Sequence, residues 1–224
     1  MAHIFSIEGN IGSGKSTLIK YLKENFRHLS NRNIIYIDEP VDDWADIKDE
    51  NNETILSKFY HDKEKYAFSF QMMAYITRLV KIKEFTSKHK NAIFITERCL
   101  DTDRHVFAKM LYDTNNIEEV NYQIYLKWFD EFIKDYPITG YIYVCTPSEI
   151  CYERVQKRNR NGETIPLTYL DNCNKYHDNW LNNLNNILIL KGTTEISNNL
   201  EYSKHKYNIE NYITKILFDS LILY

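Results

Sequence analysis

The sequence has few cysteines, and no two of them are spaced as a reactive or metal-binding pair. Four cysteines occur in 224 residues, and none of them forms a CxxC motif. So few thiols cannot cross-link a chain of this length, which argues against a disulfide-stabilised secreted protein. We therefore expect a cytoplasmic protein whose cysteines are reduced and buried.

An excess of positive charge and long apolar runs are also missing. The formal net charge is −3, whereas nucleic-acid binding depends on clustered Lys and Arg, so no nucleic-acid polymer is expected as a partner. No apolar run approaches the ~18 residues of a membrane span, and residues 184–190 are interrupted by asparagine. Because an apolar segment begins almost at Met1, we expect no signal or transit peptide and no membrane partner.

The apolar residues that are present form short runs separated by helical patterns. The length and a hydrophobic content of 43% suit one α/β domain over residues 1–224. Alternating strands and helices predict a parallel sheet of about five strands with helices on both faces. Residues at the carboxyl ends of the strands should then share one crevice. The predicted strands are 3–8, 33–38, 92–96, 140–145 and 186–190.

A glycine-rich motif follows the first predicted strand and leads into a helical segment at 16–26. It matches GxxxxGK[ST], the phosphate loop of P-loop NTPases, in the structural context that the motif requires. Its N–H groups would surround the β-phosphate, Lys15 would contact the β/γ oxygens, and Ser16 would offer a hydroxyl to Mg²⁺. A glycine turn without a ligand would not require Lys15 and Ser16. The expected ATP-binding residues here are Gly9, Asn10, Ile11, Gly12, Ser13, Gly14, Lys15, Ser16 and Thr17.

Carboxylates follow the next two predicted strands. Glu39 comes after the second strand, and Glu97 comes after the third, with Asp103 a few residues further on. A hydroxyl that attacks phosphorus must lose a proton, and a carboxylate within hydrogen-bond reach can accept it. Either segment alone would more simply be a solvated strand end or a helix cap. The phosphate loop favours the catalytic interpretation.

These and two further motifs together resemble one enzyme family, the deoxynucleoside kinases, which include deoxycytidine, deoxyguanosine and mitochondrial thymidine kinases. The resemblance covers about residues 3–190 and implies transfer of the γ-phosphate of ATP to the 5′-hydroxyl of a deoxynucleoside. It also implies a helix-packed homodimer. The motifs are Ile7-Glu8-Gly9-Asn10-Ile11, Glu39-Pro40-Val41 with Trp44, Phe70-Gln71, Glu97-Arg98 with Asp103-Arg104, and Ile165-Pro166-Leu167 with Tyr169-Leu170.

The resemblance implies roles for the residues around the transferred phosphate. Glu39 would be the catalytic base, and Arg98 would hold the 5′-hydroxyl close to that base. Lys15 would be the third catalytic residue, beside Glu39 and Arg98. Ser16 and Glu97 would bind Mg²⁺, with ATP or another nucleoside triphosphate as the donor.

The resemblance also implies a substrate pocket. Gln71 would read the nucleobase edge, since its amide has both a donor and an acceptor. Phe107 and Trp44 would flank the base, and Tyr60 with Glu163 would bind the 3′-hydroxyl. A surface tyrosine at a helix entrance is an equally good interpretation of Tyr60. The implied substrate-binding residues are Glu39, Trp44, Leu56, Tyr60, Phe70, Gln71, Ala74, Arg78, Arg98, Asp103, Phe107 and Glu163.

A small arginine-rich lid is implied at about residues 154–165. Arg154, Arg158 and Arg160 would close over ATP and stabilise charge on the transferred phosphoryl group. A basic helix end facing solvent would give the same pattern. The lid is one residue shorter than in most of the family, with Glu163 as its single acid, and Cys99 stands where most members have serine. The loop that packs on adenine is expected within 191–208.

Ala74, Arg78 and Asp103 resemble the positions that determine substrate choice in the family. An arginine beside an aspartate presents a donor and an acceptor to a polar ring edge, which favours deoxycytidine or a purine deoxynucleoside over thymidine. The competing interpretation is an ion pair that only holds two helices together.

Two other functions fit parts of the pattern. A thymidylate-type monophosphate kinase would need a cation before the Glu-Pro pair to bind the acceptor phosphate, but the chain has Asp38 there. A non-catalytic nucleotide-binding subunit would be expected to have lost Lys15, Glu39 or Arg98, and all three are present.

Overall fold

The computed structural model describes residues 2–160, 162–194 and 199–222, with the backbone alone for 221 and 222. Within these residues, six strands form one sheet in the order β2-β3-β4-β1-β5-β6. All five predicted strands are present, with bounds shifted by at most one residue. The prediction of about five strands is nevertheless wrong, because a two-residue strand is too short to show a periodic pattern. The strands are β1 (His3–Glu8), β2 (His28–Leu29), β3 (Arg32–Ile37), β4 (Ile93–Glu97), β5 (Gly140–Cys145) and β6 (Ile187–Lys191).

The sheet is parallel except at its short edge strand. β1 pairs in parallel with β4 and β5, and β3 and β6 extend the sheet outward, whereas β2 is antiparallel to β3. Ile7 lies opposite Glu97, and Ile37 lies opposite Thr96. The residues that follow β1, β3 and β4 therefore meet at one edge of the sheet, as parallel strands require.

Helices cover both faces of the sheet. Side chains alternate along β1, so Ile4 joins one apolar core and Phe5 and Ile7 join the other. α1 and α10 complete one of these cores, while α4 and α7 complete the other. The helices are α1 (Lys15–Asn25), α2 (Val41–Ala45), α3 (Ile55–His61), α4 (Lys63–Lys88), α5 (Leu100–Thr102), α6 (Lys109–Asp113), α7 (Glu119–Phe132), α8 (Ser148–Arg158), α9 (Leu167–Leu181) and α10 (Asn199–Ile222).

Two short irregular helices interrupt this series. A 3₁₀ turn (Ile133–Asp135) follows α7, and a π-helical turn (Asp103–Ala108) joins α5 to α6. π-helical turns are rare and occur frequently at functional sites. This turn carries Asp103 and Phe107, two residues that the sequence assigns to the substrate pocket.

Two expectations from the composition concern the burial of the cysteines and the presence of a membrane-spanning segment. All four cysteines are free, and three are buried, but Cys145 is exposed at the last position of β5. The expectation of burial is therefore wrong for Cys145. Among the helices that the structure describes, none combines the length and apolar character needed to cross a membrane.

Candidate active site

The loop between β1 and α1 has a backbone that only glycine adopts easily. Gly9, Gly12 and Gly14 have φ angles of 144°, 80° and 102°. A Cβ on Gly9 would lie 2.7 Å from the carbonyl oxygen of Val144, and one on Gly12 would lie 2.5 Å from that of Cys151. Gly14 directly precedes α1, whose first-turn N–H groups have no partners within the helix. The loop thus presents backbone donors to an anion.

Lys15 is buried beside this loop. Its Nζ donates hydrogen bonds to the carbonyl oxygens of Gly9 (3.1 Å) and Asn10 (2.7 Å). Burial and the nearby guanidinium of Arg98 lower the pKa of Lys15 to about 8. The ammonium group is therefore still largely protonated at neutral pH, and a bound phosphate would favour the charged form further.

Ser16 and Glu97 are in contact at the mouth of the loop. The Ser16 hydroxyl donates to Oε1 of Glu97 (2.6 Å), and burial together with the charge of Glu39 raises the pKa of Glu97. Among the residues described, no three His, Cys, Asp or Glu side chains are grouped to hold a metal ion. Two protein oxygens suit Mg²⁺, which takes most of its ligands from water and substrate phosphates.

Glu39 accepts hydrogen bonds from two arginines. Nη1 of Arg98 lies 2.8 and 3.0 Å from its two oxygens, and Nη2 of Arg78 lies 2.9 Å from Oε1. Burial opposes ionisation of Glu39, but Arg98 and Arg78 outweigh it and lower the pKa to about 2. The carboxylate is therefore ionised at neutral pH.

Arg98 also contacts the phosphate loop. Its Nη2 donates to the carbonyl oxygen of Gly9 (3.2 Å), and its φ of 62° lies in the left-handed region. Such a backbone conformation is unfavourable for a long side chain, and strained residues of this kind are enriched at active sites. Arg98 thus links the carboxylate of Glu39 to the loop in front of α1.

Arg78 joins Glu39 to Asp103. Its Nη1 lies 3.1 and 3.3 Å from the two oxygens of Asp103, and all three side chains line the same cleft. Burial raises the pKa of Asp103 to about 7, against the opposing effect of Arg78. The contact between Arg78 and Asp103 was predicted from the sequence, but the contact between Arg78 and Glu39 was not.

Aromatic side chains form the deeper part of the cleft. Phe70 stacks on Phe59 at 4.7 Å and contacts the edge of Trp44 at 5.4 Å, measured between ring centroids. The guanidinium of Arg98 lies 5.1 Å from the ring centroid of Phe107. Gln71 is 2% exposed, and its Oε1 has no hydrogen-bond partner. A buried acceptor without a partner costs free energy unless a ligand satisfies it.

The lid residues contact one another and the phosphate loop. Nη1 of Arg154 donates to the carbonyl oxygens of Ser13 (3.2 Å) and Gly192 (2.7 Å). Arg158 forms an ion pair of 2.6 Å with Glu163, whose side chain is 4% exposed. Burial and the charge of Glu163 raise the pKa of Tyr60. Tyr60 is half-buried and lines the cleft.

One cleft of about 830 Å³ contains nearly all the predicted site residues. Gly9, Asn10 and Ser13 are the exceptions; they do not line the cleft, although they belong to the phosphate loop. The predicted residues that line it are Ile11, Gly12, Gly14, Lys15, Ser16, Thr17, Glu39, Trp44, Leu56, Tyr60, Phe70, Gln71, Ala74, Arg78, Glu97, Arg98, Asp103, Phe107, Arg154, Arg158, Arg160 and Glu163.

Several lining residues were not predicted as site residues. Lys20 and Lys23 lie four and seven positions after Ser16 on α1, a spacing that places them on one helical face and could have been noticed. Thr194 and Tyr202 come from the segment 191–208, where no local motif indicates them. Residues 195–198 of that predicted base-packing loop lie outside the described residues. The other unpredicted lining residues are Ile19, Asp38, Val41, Phe59, Ile150, Glu153, Lys157 and Tyr169.

The fold and the cleft together define a P-loop protein, with a phosphate loop at one end of the cleft and an aromatic-lined pocket at the other. The particular family follows from comparison with known proteins. A family model described as "Deoxynucleoside kinase" matches residues 5–219. The chain belongs to the deoxynucleoside kinase family, which confirms the resemblance noted in the sequence, and it is a kinase that uses a nucleotide phosphate donor.

Individual relatives are named as kinases of particular deoxynucleosides. A probable deoxycytidine kinase of fowlpox virus is 36% identical over 184 residues, which cover 80% of this chain and 72% of the relative. The mitochondrial deoxyguanosine kinase of Xenopus laevis is 30% identical over 211 residues, covering 86% and 75%. Human deoxycytidine kinase is 30% identical over 197 residues, covering 79% and 74%.

Proposed function

We propose that the protein transfers the γ-phosphate of ATP, or of another nucleoside triphosphate, to the 5′-hydroxyl of a deoxynucleoside in nucleotide salvage. One observation carries this proposal. The cleft that begins at the phosphate loop continues into an aromatic pocket in which Oε1 of Gln71 is buried without a partner. A nucleobase between the aromatic rings would supply the missing hydrogen bond, because a ring amino group can donate to that oxygen.

Glu39 is the proposed base. It is ionised, and it lies between the phosphate loop and the aromatic pocket, bonded to Arg98. A base with a low pKa suits phosphoryl transfer, in which the loose transition state requires little proton abstraction before the phosphoryl group moves. Arg98 orients the carboxylate, and Lys15 acts on the transferred phosphoryl group.

The proposed metal is Mg²⁺, held by Ser16, Glu97 and the donor phosphates; it would neutralise charge on those phosphates. The lid arginines are proposed to bind the donor. Arg154 already contacts the carbonyl oxygen of Ser13 beside the phosphate loop, and Arg158 and Arg160 line the same end of the cleft. Tyr60 and Glu163 are proposed to bind the 3′-hydroxyl.

Deoxycytidine or a purine deoxynucleoside is the proposed acceptor. Arg78 and Asp103 present charged hydrogen-bonding groups to the cleft beside Ala74. Several relatives are named as deoxycytidine or deoxyguanosine kinases, which supports this choice, whereas the mitochondrial thymidine kinase 2 of Homo sapiens is 29% identical over 181 residues. A thymidylate acceptor is disfavoured by the sequence, which has Asp38 and not a cation before the Glu-Pro pair. Asp38 is ion-paired with Lys23 at the cleft wall, so the dTMP reaction is the direct test of this point.

Phosphoryl transfer to a panel of acceptors tests the proposal. With ATP and Mg²⁺, we expect ADP release to depend on a deoxynucleoside, with a higher kcat/KM for deoxycytidine or a purine deoxynucleoside than for thymidine. Reactions without an acceptor and with dTMP are the controls. Faster turnover of dTMP than of every deoxynucleoside would contradict the proposal, and so would ADP release that no acceptor stimulates.

We also propose a homodimer through an exposed apolar face on α4 and α7. Ile76 and Val80 lie one turn apart on α4, and Val120, Ile124 and Trp128 lie at successive turns of α7. All five are between 41% and 64% exposed. Apolar side chains exposed along one face of each of two helices that pack together indicate an interface. Light scattering should give the mass of a dimer, and Val80→Glu with Ile124→Glu should give that of a monomer; a monomeric wild type would contradict the proposal.

A further inference from the structure

Asn10 is the second residue of the phosphate loop, yet its side chain does not line the cleft. It is 1% exposed, and its Oδ1 accepts a hydrogen bond from the backbone N–H of Ile11 (2.8 Å). Its Nδ2 donates to the carbonyl oxygen of Leu170 (2.9 Å) and to Oδ1 of Asn174 (2.6 Å). Both partners of Nδ2 are on α9, the helix that follows the lid.

The orientation of both amide groups follows from their backbone partners. The N–H of Ile11 requires an acceptor and the carbonyl of Leu170 requires a donor, so Asn10 can be placed in only one way. Asn174 must then present its oxygen to Asn10. Its Nδ2 accordingly donates to the carbonyl oxygen of Thr146 (3.1 Å).

This chain of hydrogen bonds reaches the phosphate loop at a second residue, Ser13. The hydroxyl of Thr146 donates to the carbonyl oxygen of Ser13 (3.0 Å), and Thr146 is buried just after β5. We call this set of Asn10, Asn174, Thr146 and Ser13 the phosphate-loop bridge. It connects two points of the loop, its second and fifth residues, to α9 and to the end of β5.

We propose that Asn174 is a positioning residue for the donor phosphates, because it holds the phosphate loop through Asn10 and through Thr146. The proposal rests on the proposed function, in which this loop binds the donor. Asn174 touches no part of the cleft, so it acts only through the loop. Since α9 begins at Leu167, directly after the lid, the bridge also joins the loop to the helix on which the lid ends.

The expected result is specific to the donor. Asn174→Ala removes one partner of a buried amide, so we expect the Kd for Mg²⁺-ADP and the KM for the donor to rise about tenfold. The KM for the deoxynucleoside should stay within about twofold, since none of these bonds involves the acceptor pocket. Alanine favours a helix more than asparagine does, so α9 should remain folded. Asn179→Ala, an exposed site on the same helix, is the matched control.

A double-mutant cycle separates positioning from a general structural role. Asn10→Ala and Asn174→Ala break the same bond, so the double variant should bind Mg²⁺-ADP more tightly than the sum of the single losses predicts. Additive losses would overturn the proposal, as would an equal rise in both KM values or a lower Tm with unchanged ADP affinity. If Asn174→Ala fails to fold, Thr146→Val breaks the bridge at its other end, and the same donor-specific loss is expected.

Calorimetry with Mg²⁺-ADP makes the two proposals distinguishable. A wild type that binds ADP but phosphorylates no deoxynucleoside would contradict the proposed function and leave the cycle to decide the role of Asn174. An active wild type with additive losses would contradict the role of Asn174 alone. A wild type that binds no ADP would overturn both.

Discussion

Lys15→Ala is expected to lower phosphoryl transfer by at least about 10²-fold, since groups that stabilise developing charge are usually worth that much. The ammonium is buried against two loop carbonyls, and burial together with the charge of Arg98 lowers its pKa to about 8. Folding therefore already removes this charge from water. Phosphate oxygens that replace the two carbonyl oxygens as its hydrogen-bond acceptors would interact with it strongly, because electrostatic interactions are stronger in a buried site.

The fold should survive this substitution, because the carbonyls that Lys15 contacts have other partners. The oxygen of Gly9 also accepts from Nη2 of Arg98, and that of Asn10 also accepts from the N–H of Ser13 (3.2 Å). Loss of the ammonium removes repulsion with Arg98 but also attraction to Glu97, Glu39 and Glu8, and these two effects on stability oppose each other. We expect little change in Tm.

Two variants control for volume and for charge elsewhere. Lys15→Met keeps most of the side-chain volume without the charge, and it should be as inactive as Lys15→Ala. Lys83→Ala removes an exposed lysine from α4 and should keep wild-type activity. If Lys15→Ala kept its activity within about tenfold of wild type, the phosphate loop would not be the donor site.

Glu39→Gln is expected to lower kcat by about 10²-fold or more, with a much smaller change in KM. The amide has nearly the same shape as the carboxylate, but it does not accept a proton at neutral pH. Glu39 is the carboxylate that Arg98 holds beside the phosphate loop, so its loss removes both the base and the counter-charge of that arginine.

The same change should lower stability at neutral pH. The native pKa of Glu39 is lowered to about 2 from an ordinary value of 4.5, so ionised Glu39 stabilises the fold at pH values above 4.5. This stabilisation is lost as the pH falls toward 2. The difference in Tm between wild type and Glu39→Gln should therefore be largest near neutral pH and smaller in acid, and kcat must be measured well below the Tm of the variant.

Glu24→Gln is the matched control, because it makes the same change at an exposed position of α1 and should leave kcat unchanged. Turnover by Glu39→Gln equal to that of wild type would place the base elsewhere. Glu97 would then be the next candidate, since its carboxylate lines the same cleft and contacts Ser16 at the mouth of the phosphate loop.

The strands and the phosphate loop were predictable because their signals are local. Apolar runs of five or six residues indicated five strands to within one residue, while β2 has only two residues and shows no pattern. Gly9, Gly12 and Gly14 have positive φ angles, a backbone requirement that belongs to each residue and its immediate neighbours. The residues that follow β3 and β4 could also be assigned to one cleft, because the carboxyl ends of parallel strands meet at one edge of the sheet.

The amino-acid sequence by itself thus indicated the family, the order of its motifs along the chain and about two thirds of the residues that line the cleft. Only the tertiary structure decided which groups contact one another. It pairs Arg78 with Glu39 as well as Asp103, pairs Arg158 with Glu163, and connects Asn10 to Asn174. Asn10 and Asn174 are 164 positions apart in the chain. A hydrogen bond depends on distances and angles within a few tenths of an ångström, and between such distant residues only the packing of the sheet and helices sets them.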